Sequence, residues 1–238
     1  MTPTRRTALI AGLFYLVTFV SIPTLTLYAD AKTRGFTTGL GGDSGAVLGG
    51  FLEVVVGLAG IGTAVTLYPV VRRHGEQLAL GFVAARVLEA AMIFTGVTAI
   101  MSLVSLHRSG SGATDSAALV VMGDSLVSTY NWAFLLGQSL MPALNALLLG
   151  TLLVRSGLVA RAIPLIGLVG APIHLTAVVL SFFGVIAQVS TWTLLAALPI
   201  AAWEFSLGVY LLVKGFRRIP MAPAAESLRV AQSEVPAR

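Results

Sequence analysis

Arg86 and Glu89 stand three residues apart inside an apolar stretch, roughly Leu78 to Leu106, built otherwise of Leu, Val, Ala, Ile, Met and Phe. An ionised side chain at the centre of such a stretch costs at least ~2.5–3.5 kcal/mol on membrane-insertion scales, so each is expected to have a partner and a purpose. Other polar groups recur in the neighbouring apolar stretches: Glu53, Gln138, Asn145, His174 and Glu204, with Asn131-Trp132 nearby. Two carboxylates and one guanidinium can hold each other, bind an ion or a polar headgroup, or exchange protons with a substrate. Which of these applies depends on the helices that carry them.

Those helices can be read from composition. Of 238 residues, 56% are apolar and only 11% charged, and the mean hydropathy is +0.91. A soluble domain carries about 25% charged residues. The apolar residues fall into six runs, about 8–28, 45–71, 78–106, 126–154, 162–186 and 190–213. Each approaches the ~20 residues that span a bilayer. In lipid each must make its backbone hydrogen bonds internally, and the alternation of a β-barrel is absent, so all six are read as helices. The expected fold is an all-α integral membrane bundle of six transmembrane helices, at residues 1–217, with a flexible tail at 218–238.

Lys and Arg set the orientation. Arg5, Arg6, Arg72, Arg73, Arg155, Arg161, Lys214, Arg217 and Arg218 flank one side, and Lys32, Arg34 and Arg108 the other. The bias predicts both termini in the cytoplasm, tight cytoplasmic turns at 72–77 and 155–161, and longer external loops at 29–44 and 107–125, with His107 on the second. The location is the cell membrane, multi-pass. The net charge of +5 is spent on topology and lipid headgroups, and nucleic acid is not an expected partner. Arg5-Arg6 before an apolar run and Ala29-Asp30-Ala31 after it imitate a signal peptide. The run of about 20 residues exceeds the usual ~7–15, so the first span is expected to stay. The sequence has no cysteine, which excludes thiolate metal sites and a cysteine nucleophile.

With ~1.5 Å of rise per residue, depths follow from the cytoplasmic ends of the spans. Arg86 lies at ~12 Å, Asn145 and Glu204 at ~13 Å, Glu89 at ~16 Å and His174 at ~18 Å. Gln138 lies at ~24 Å and Glu53 at ~27 Å. The shared level predicts that Arg86 pairs with Glu204 across the bundle while Glu89 shares the guanidinium. Glu89 and His174 are near enough in depth to meet. A polar column then leads outward through Gln138, Glu53 and Asn131-Trp132, with Glu53 lacking an evident basic partner. Gly45, Gly49, Gly57, Gly60 and Gly62 on the second span are expected at close helix contacts. Pro23, Pro142, Pro172 and Pro199 are expected to kink their spans. Trp192, Trp203, Tyr15, Tyr28, Tyr68, Tyr130 and Tyr210 read as interface anchors or packing.

A lone intramembrane histidine makes no metal site. Gly42-Asp43-Ser44-Gly45 imitates a serine-protease motif, but a serine nucleophile needs a base within hydrogen-bond reach. Ser44 opens the second span at its external edge, far from the deeper His174.

Several segments carry a resemblance: Arg6-Thr7-Ala8-Leu9-Ile10-Ala11-Gly12; Phe51-Leu52-Glu53 leading to Leu67-Tyr68-Pro69-Val70; Leu78-Ala79-Leu80-Gly81-Phe82-Val83 with Arg86-Val87-Leu88-Glu89; Trp132-Ala133-Phe134-Leu135-Leu136-Gly137; Arg155 through Arg161; and Trp203-Glu204 through Phe216. With these the chain resembles a bacterial membrane family designated a domain of unknown function, number 4386, to about residue 217. The resemblance implies six membrane helices and supplies no activity, substrate or cofactor.

Three functions stay open. The chain binds a small or amphipathic ligand in a polar intramembrane pocket, for transport or sensing. It acts on a lipid-like substrate, with Glu89 and His174 as acid and base. Or it is a structural or partner-binding protein with a sealed Arg86–Glu204 brace. For the first, the candidate ligand-binding residues are Arg86, Glu89, Glu204, His174, Asn145, Gln138, Glu53, Asn131 and Trp132. Membrane lipids are partners in every case, and the oligomeric state is left open.

Overall fold

The computed structural model describes residues 2–39, 41–110 and 116–217. The expected tail at 218–238 lies outside the described residues. Among the described residues eight α-helices form: α1 (Pro3–Val17), α2 (Thr24–Leu27), α3 (Ser44–Val71), α4 (Glu76–Gly110), α5 (Ser116–Phe134), α6 (Met141–Ser156), α7 (Ala162–Phe182) and α8 (Thr191–Val213). A 3₁₀ turn at Thr18–Ser21 and Pro23 divide α1 from α2, and a wide π-helical segment at Leu135–Leu140 joins α5 to α6. Among the described residues there is no strand. Six helical stretches among the described residues are long and apolar enough to cross a membrane: Pro3–Leu27, Ser44–His74, Glu76–Ser109, Ala117–Ser156, Ala162–Phe182 and Thr191–Val213. The chain is a multi-pass helical membrane protein.

Each span packs on its neighbour in the chain, and α8 returns to α1, closing a ring; α4 also meets α6. The start of α1 and the end of α8 lie at one end of the ring. There Arg5 on α1 donates to the carbonyls of Leu211, Leu212 and Val213 at 3.0, 2.6 and 3.2 Å. These are last-turn carbonyls with no helical partner of their own, where a cation is favoured. At the opposite, far end, Ser190 and Thr193 cap α8 reciprocally: the Thr193 amide donates to Ser190 Oγ at 3.3 Å and the Ser190 amide to Thr193 Oγ1 at 2.8 Å. This cap fixes where α8 enters the bundle.

The segment 107–125 differs from the expected loop. Helix α4 runs on to Gly110 and α5 starts at Ser116. Ser, Thr and Asp contain no helix breaker of the proline kind, and a polar stretch outside the hydrocarbon can stay helical when its ends pack together. At ~1.5 Å per residue a span of 34 residues exceeds the ~30 Å of hydrocarbon, so α4 projects beyond it. His107 is therefore helical, not on a mobile loop. Its ring stacks on Phe36 with centroids 4.2 Å apart, and its Nδ1 donates to the Phe36 carbonyl at 2.6 Å. Arg108 bonds Asp43 at 2.6 Å and Arg34 bonds Asp124 at 3.2 Å, tying loop 28–43 to the hairpin. The hydrogen bond from Arg108 holds the Asp43 carboxyl below its ordinary pKa.

Small residues set the helix spacings as the sequence implies, with one exception. A Cβ on Gly45 would meet the Leu27 carbonyl, on Gly49 the Tyr28 ring, on Gly57 the Phe94 ring and on Gly62 the Phe14 ring, all within 3 Å. Gly60 has only Arg86 Cδ at 3.9 Å. Another close approach joins α7 and α8: a Cβ on Gly170 of α7 would lie 2.5 Å from Pro199 Cβ and 3.3 Å from its carbonyl carbon on α8. Neither atom belongs to a flexible side chain. Gly170→Ala should therefore lower stability by ~1–3 kcal/mol through overpacking, while Gly60→Ala should be neutral or up to ~1 kcal/mol stabilising through helix propensity. Thermal unfolding in detergent compares the two, and equal midpoints would contradict this packing.

Pro69, Pro172 and Pro199 stay inside continuous helices. Pro23 and Pro142 instead accompany the two breaks in helical geometry, at Thr18–Ser21 and Leu135–Leu140. Proline has no amide hydrogen and crowds the preceding turn, so the ladder locally re-forms with narrower or wider turns. Both breaks border the site described next.

Candidate functional site

The inner charges meet as their depths predict. Arg86 on α4 donates through Nη1 to Glu89 Oε2 at 3.0 Å and through Nη2 to Glu204 Oε1 on α8 at 2.7 Å. Asn145 on α6 donates from Nδ2 to the same Glu89 oxygen at 2.7 Å. The guanidinium carbon lies 5.4 Å from the Tyr15 ring centroid and 5.8 Å from that of Phe82, which covers its apolar surfaces. One guanidinium thus serves two carboxylates, a formal excess of one negative charge.

A second cluster lies toward the far end, around Glu53 on α3. Its carboxylate is wholly buried. It accepts from Tyr28 Oη at 3.1 Å, Tyr130 Oη at 2.9 Å and Gln138 Nε2 at 2.9 Å. Among the described residues no basic side chain forms an ion pair with it. Three neutral donors replace the missing cation. The two tyrosine rings meet edge to face at 5.2 Å. Lys32 sits 4.1 Å above the Tyr130 centroid and donates to Asn131 Oδ1 at 3.4 Å. Burial lowers the pKa of this ammonium.

The aromatic assignments change accordingly. Of the two alternatives, anchor or packing, Tyr15, Tyr28 and Tyr130 take the second: they are buried against the charged groups. Trp203 is buried against Gly167. Trp192 is exposed, and Arg72 stacks on Tyr68 at 5.8 Å, as an interfacial belt would have them. Trp132 is not part of the interior column: it is 48% exposed, and its ring packs edge-on against Phe182. A helix that turns one face to Tyr28 and Glu53 presents the next residues outward, and Trp132 follows Tyr130 by two. Asn131 joins the far-end network through Lys32 and through its carbonyl, which accepts from Gln188 Nε2 at 2.9 Å.

Between the clusters lies a cavity of about 260 Å³. Arg86, Glu89, Glu204, Gln138 and His174 line it. Asn145 and Glu53 bond to lining residues from behind. The proline-associated breaks supply Thr18, Phe19 and Ser21 on one wall and Gln138 and Ser139 on another. His174 does not bond Glu89. Its Nε2 donates to the Ser139 carbonyl at 2.9 Å, which leaves Nδ1 as the acceptor nitrogen of the neutral ring. That Nδ1 has no partner. Gln188, Ser139 and Thr193 also line the cavity and carry no sequence signal, because hydroxyls and loop amides are common near membrane helix ends. Tyr28 and Tyr130 could have been found: each lies at the depth of Glu53.

Among the described residues no three His, Asp or Glu side chains are grouped to hold a metal ion. Ser44 makes no hydrogen bond to a histidine among them, so the protease-like quartet is only the start of α3.

None of the curated proteins and none of the solved structures matches this chain. The chain belongs to the family described as Domain of unknown function (DUF4386), which matches it over residues 10–215.

Proposed function

We propose that this is a cell-membrane protein, with both termini in the cytoplasm, whose cavity binds a small or amphipathic ligand for transport or sensing. The observation that carries the reading is the cavity itself: ionised groups from α4 and α8 border empty space instead of a packed seam. A pure brace gains nothing from such space, because voids forfeit packing contacts. The volume lies just below the ~300–1,000 Å³ of drug-sized ligand sites, which favours a small ligand or one end of a longer one. The cavity opens between α2 and the start of α8, where Ile22, Leu25, Val189 and Leu194 are exposed. An apolar rim around a polar interior suits an amphipathic molecule arriving from the bilayer. Acid–base chemistry has less support, since Glu89 and His174 share the cavity without touching. The 218–238 segment is proposed as an appendage to the 1–217 bundle.

Ala197 lines the cavity from α8, and Ala197→Phe would fill part of it. The wild type, purified in native lipid particles, should retain a small molecule that mass spectrometry detects at near one copy per chain. The variant should retain at least ~5-fold less, as displacement of a bound ligand by a buried ring requires. Identical extracts from the two proteins would overturn the reading.

A further inference from the structure

We infer that the cavity selects a lipophilic cation carrying N–H donors, a protonated alkylamine in chemical class, over an anion. The inference rests on the ligand-binding reading above and names the ligand's charge. A guanidinium on a cavity wall would by itself suggest an anionic ligand. The geometry points the other way. The guanidinium is committed to two carboxylates and covered by two rings, and its side chain keeps 2% of its surface, against 10% for Glu89 and 13% for Glu204. What the cavity meets is carboxylate.

The unused hydrogen-bonding capacity has the same sign. Glu89 Oε2 accepts from Arg86 and Asn145, and Glu204 Oε1 from Arg86. Glu89 Oε1 and Glu204 Oε2 accept nothing, and neither is sealed from solvent. The other unpartnered atoms of the wall, Arg86 Nε as a donor and His174 Nδ1 as an acceptor, are both buried without accessible surface. One guanidinium against two carboxylates leaves the inner cluster formally negative, and in a low-dielectric interior that charge repels an anion and attracts an ammonium. An ammonium has three donors and no acceptor. It complements the two free carboxylate oxygens, while its alkyl chain fits the apolar mouth between Ile22 and Leu194.

The test titrates octylamine, octanol and octanoate into the protein in phosphatidylcholine nanodiscs, with empty nanodiscs subtracted. Octylamine should saturate near one per chain, with a Kd at least ~10-fold below that of octanoate, the scale of one hydrogen bond to a charged group. Glu204→Gln should weaken octylamine by a similar factor of ~10, and Ala197→Phe, which leaves every charge in place, should abolish saturable binding. Octanoate binding as tightly as octylamine would overturn the charge assignment and leave the pocket reading standing. Absence of saturable binding by all three compounds would overturn both. Octylamine binding equally to wild type and to Ala197→Phe would place it in the bilayer and overturn the inference too, even if Glu204→Gln failed to fold.

Discussion

Arg86→Met should abolish the folded, monodisperse protein, whereas Glu204→Gln should leave it intact. The asymmetry follows from the charge count. Arg86 is the guanidinium shared by Glu89 and Glu204. Removing it strands two carboxylates inside the bundle, and breaking a buried pair from one side costs ~3–5 kcal/mol. That is a large part of the ~5–15 kcal/mol by which proteins are stable. Glu204→Gln removes the excess negative charge, keeps a carbonyl oxygen for Arg86 Nη2, and leaves the Arg86–Glu89 pair with Asn145 behind it. Its cost should stay near ~1 kcal/mol, the scale of one neutral hydrogen bond. The triple variant Arg86→Met, Glu89→Leu, Glu204→Leu removes every charge of the cluster and should regain much of the folded yield, since apolar replacements of buried ion pairs are often neutral or stabilising. Size-exclusion profiles and thermal unfolding in detergent measure all three. Wild-type stability in Arg86→Met would mean that the guanidinium does not compensate these carboxylates.

Glu53→Leu should produce the other large loss. The leucine would leave two tyrosine hydroxyls and one amide facing an apolar side chain. Each buried group left without a partner costs ~1–3 kcal/mol. Adding Tyr28→Phe and Tyr130→Phe to Glu53→Leu should restore part of the stability, because the stranded hydroxyls then vanish as well. Glu53→Gln should lie between wild type and Glu53→Leu: its carbonyl oxygen still accepts, but its amide group faces donors. Unfolding midpoints that rank Glu53→Leu above the triple replacement would contradict this network.

Much of the inner cluster was legible in the sequence because depth in a membrane is a one-dimensional coordinate. Fixed helical rise and a charge-defined zero put Arg86, Asn145 and Glu204 on one level, and the bundle interior is where a charge can go. The Gln138–Glu53 contact at 2.9 Å follows from the same arithmetic. The angular coordinate is harder to read. Spans that are apolar all round carry no amphipathic stripe to say which face turns inward, so the sequence places Trp132 in the interior column and leaves Tyr28 and Tyr130 open between interface anchors and packing. Helix ends beyond the hydrocarbon were equally hidden. Ser- and Thr-rich segments around residues 107–125 look like loop, yet α4 and α5 continue through much of them because ion pairs and the Phe36–His107 stack hold them. The cavity was not legible. It depends on the 3₁₀ and π-helical breaks beside Pro23 and Pro142, and a proline in the sequence does not say how its helix will accommodate it.

The absence of cysteine in the wild-type chain permits a direct test of whether these charges border open space. Ala201→Cys places a single thiol on the cavity wall, and Ala146→Cys places one in the fully buried core. In nanodiscs, an ammonium-bearing methanethiosulfonate should modify Ala201→Cys rapidly and at least ~10-fold faster than the sulfonate-bearing reagent, the factor expected from one favourable charge contact, while Ala146→Cys stays unmodified by both. If Ala201→Cys were as inert as Ala146→Cys, the charged cluster would be a sealed seam and no binding site would exist there.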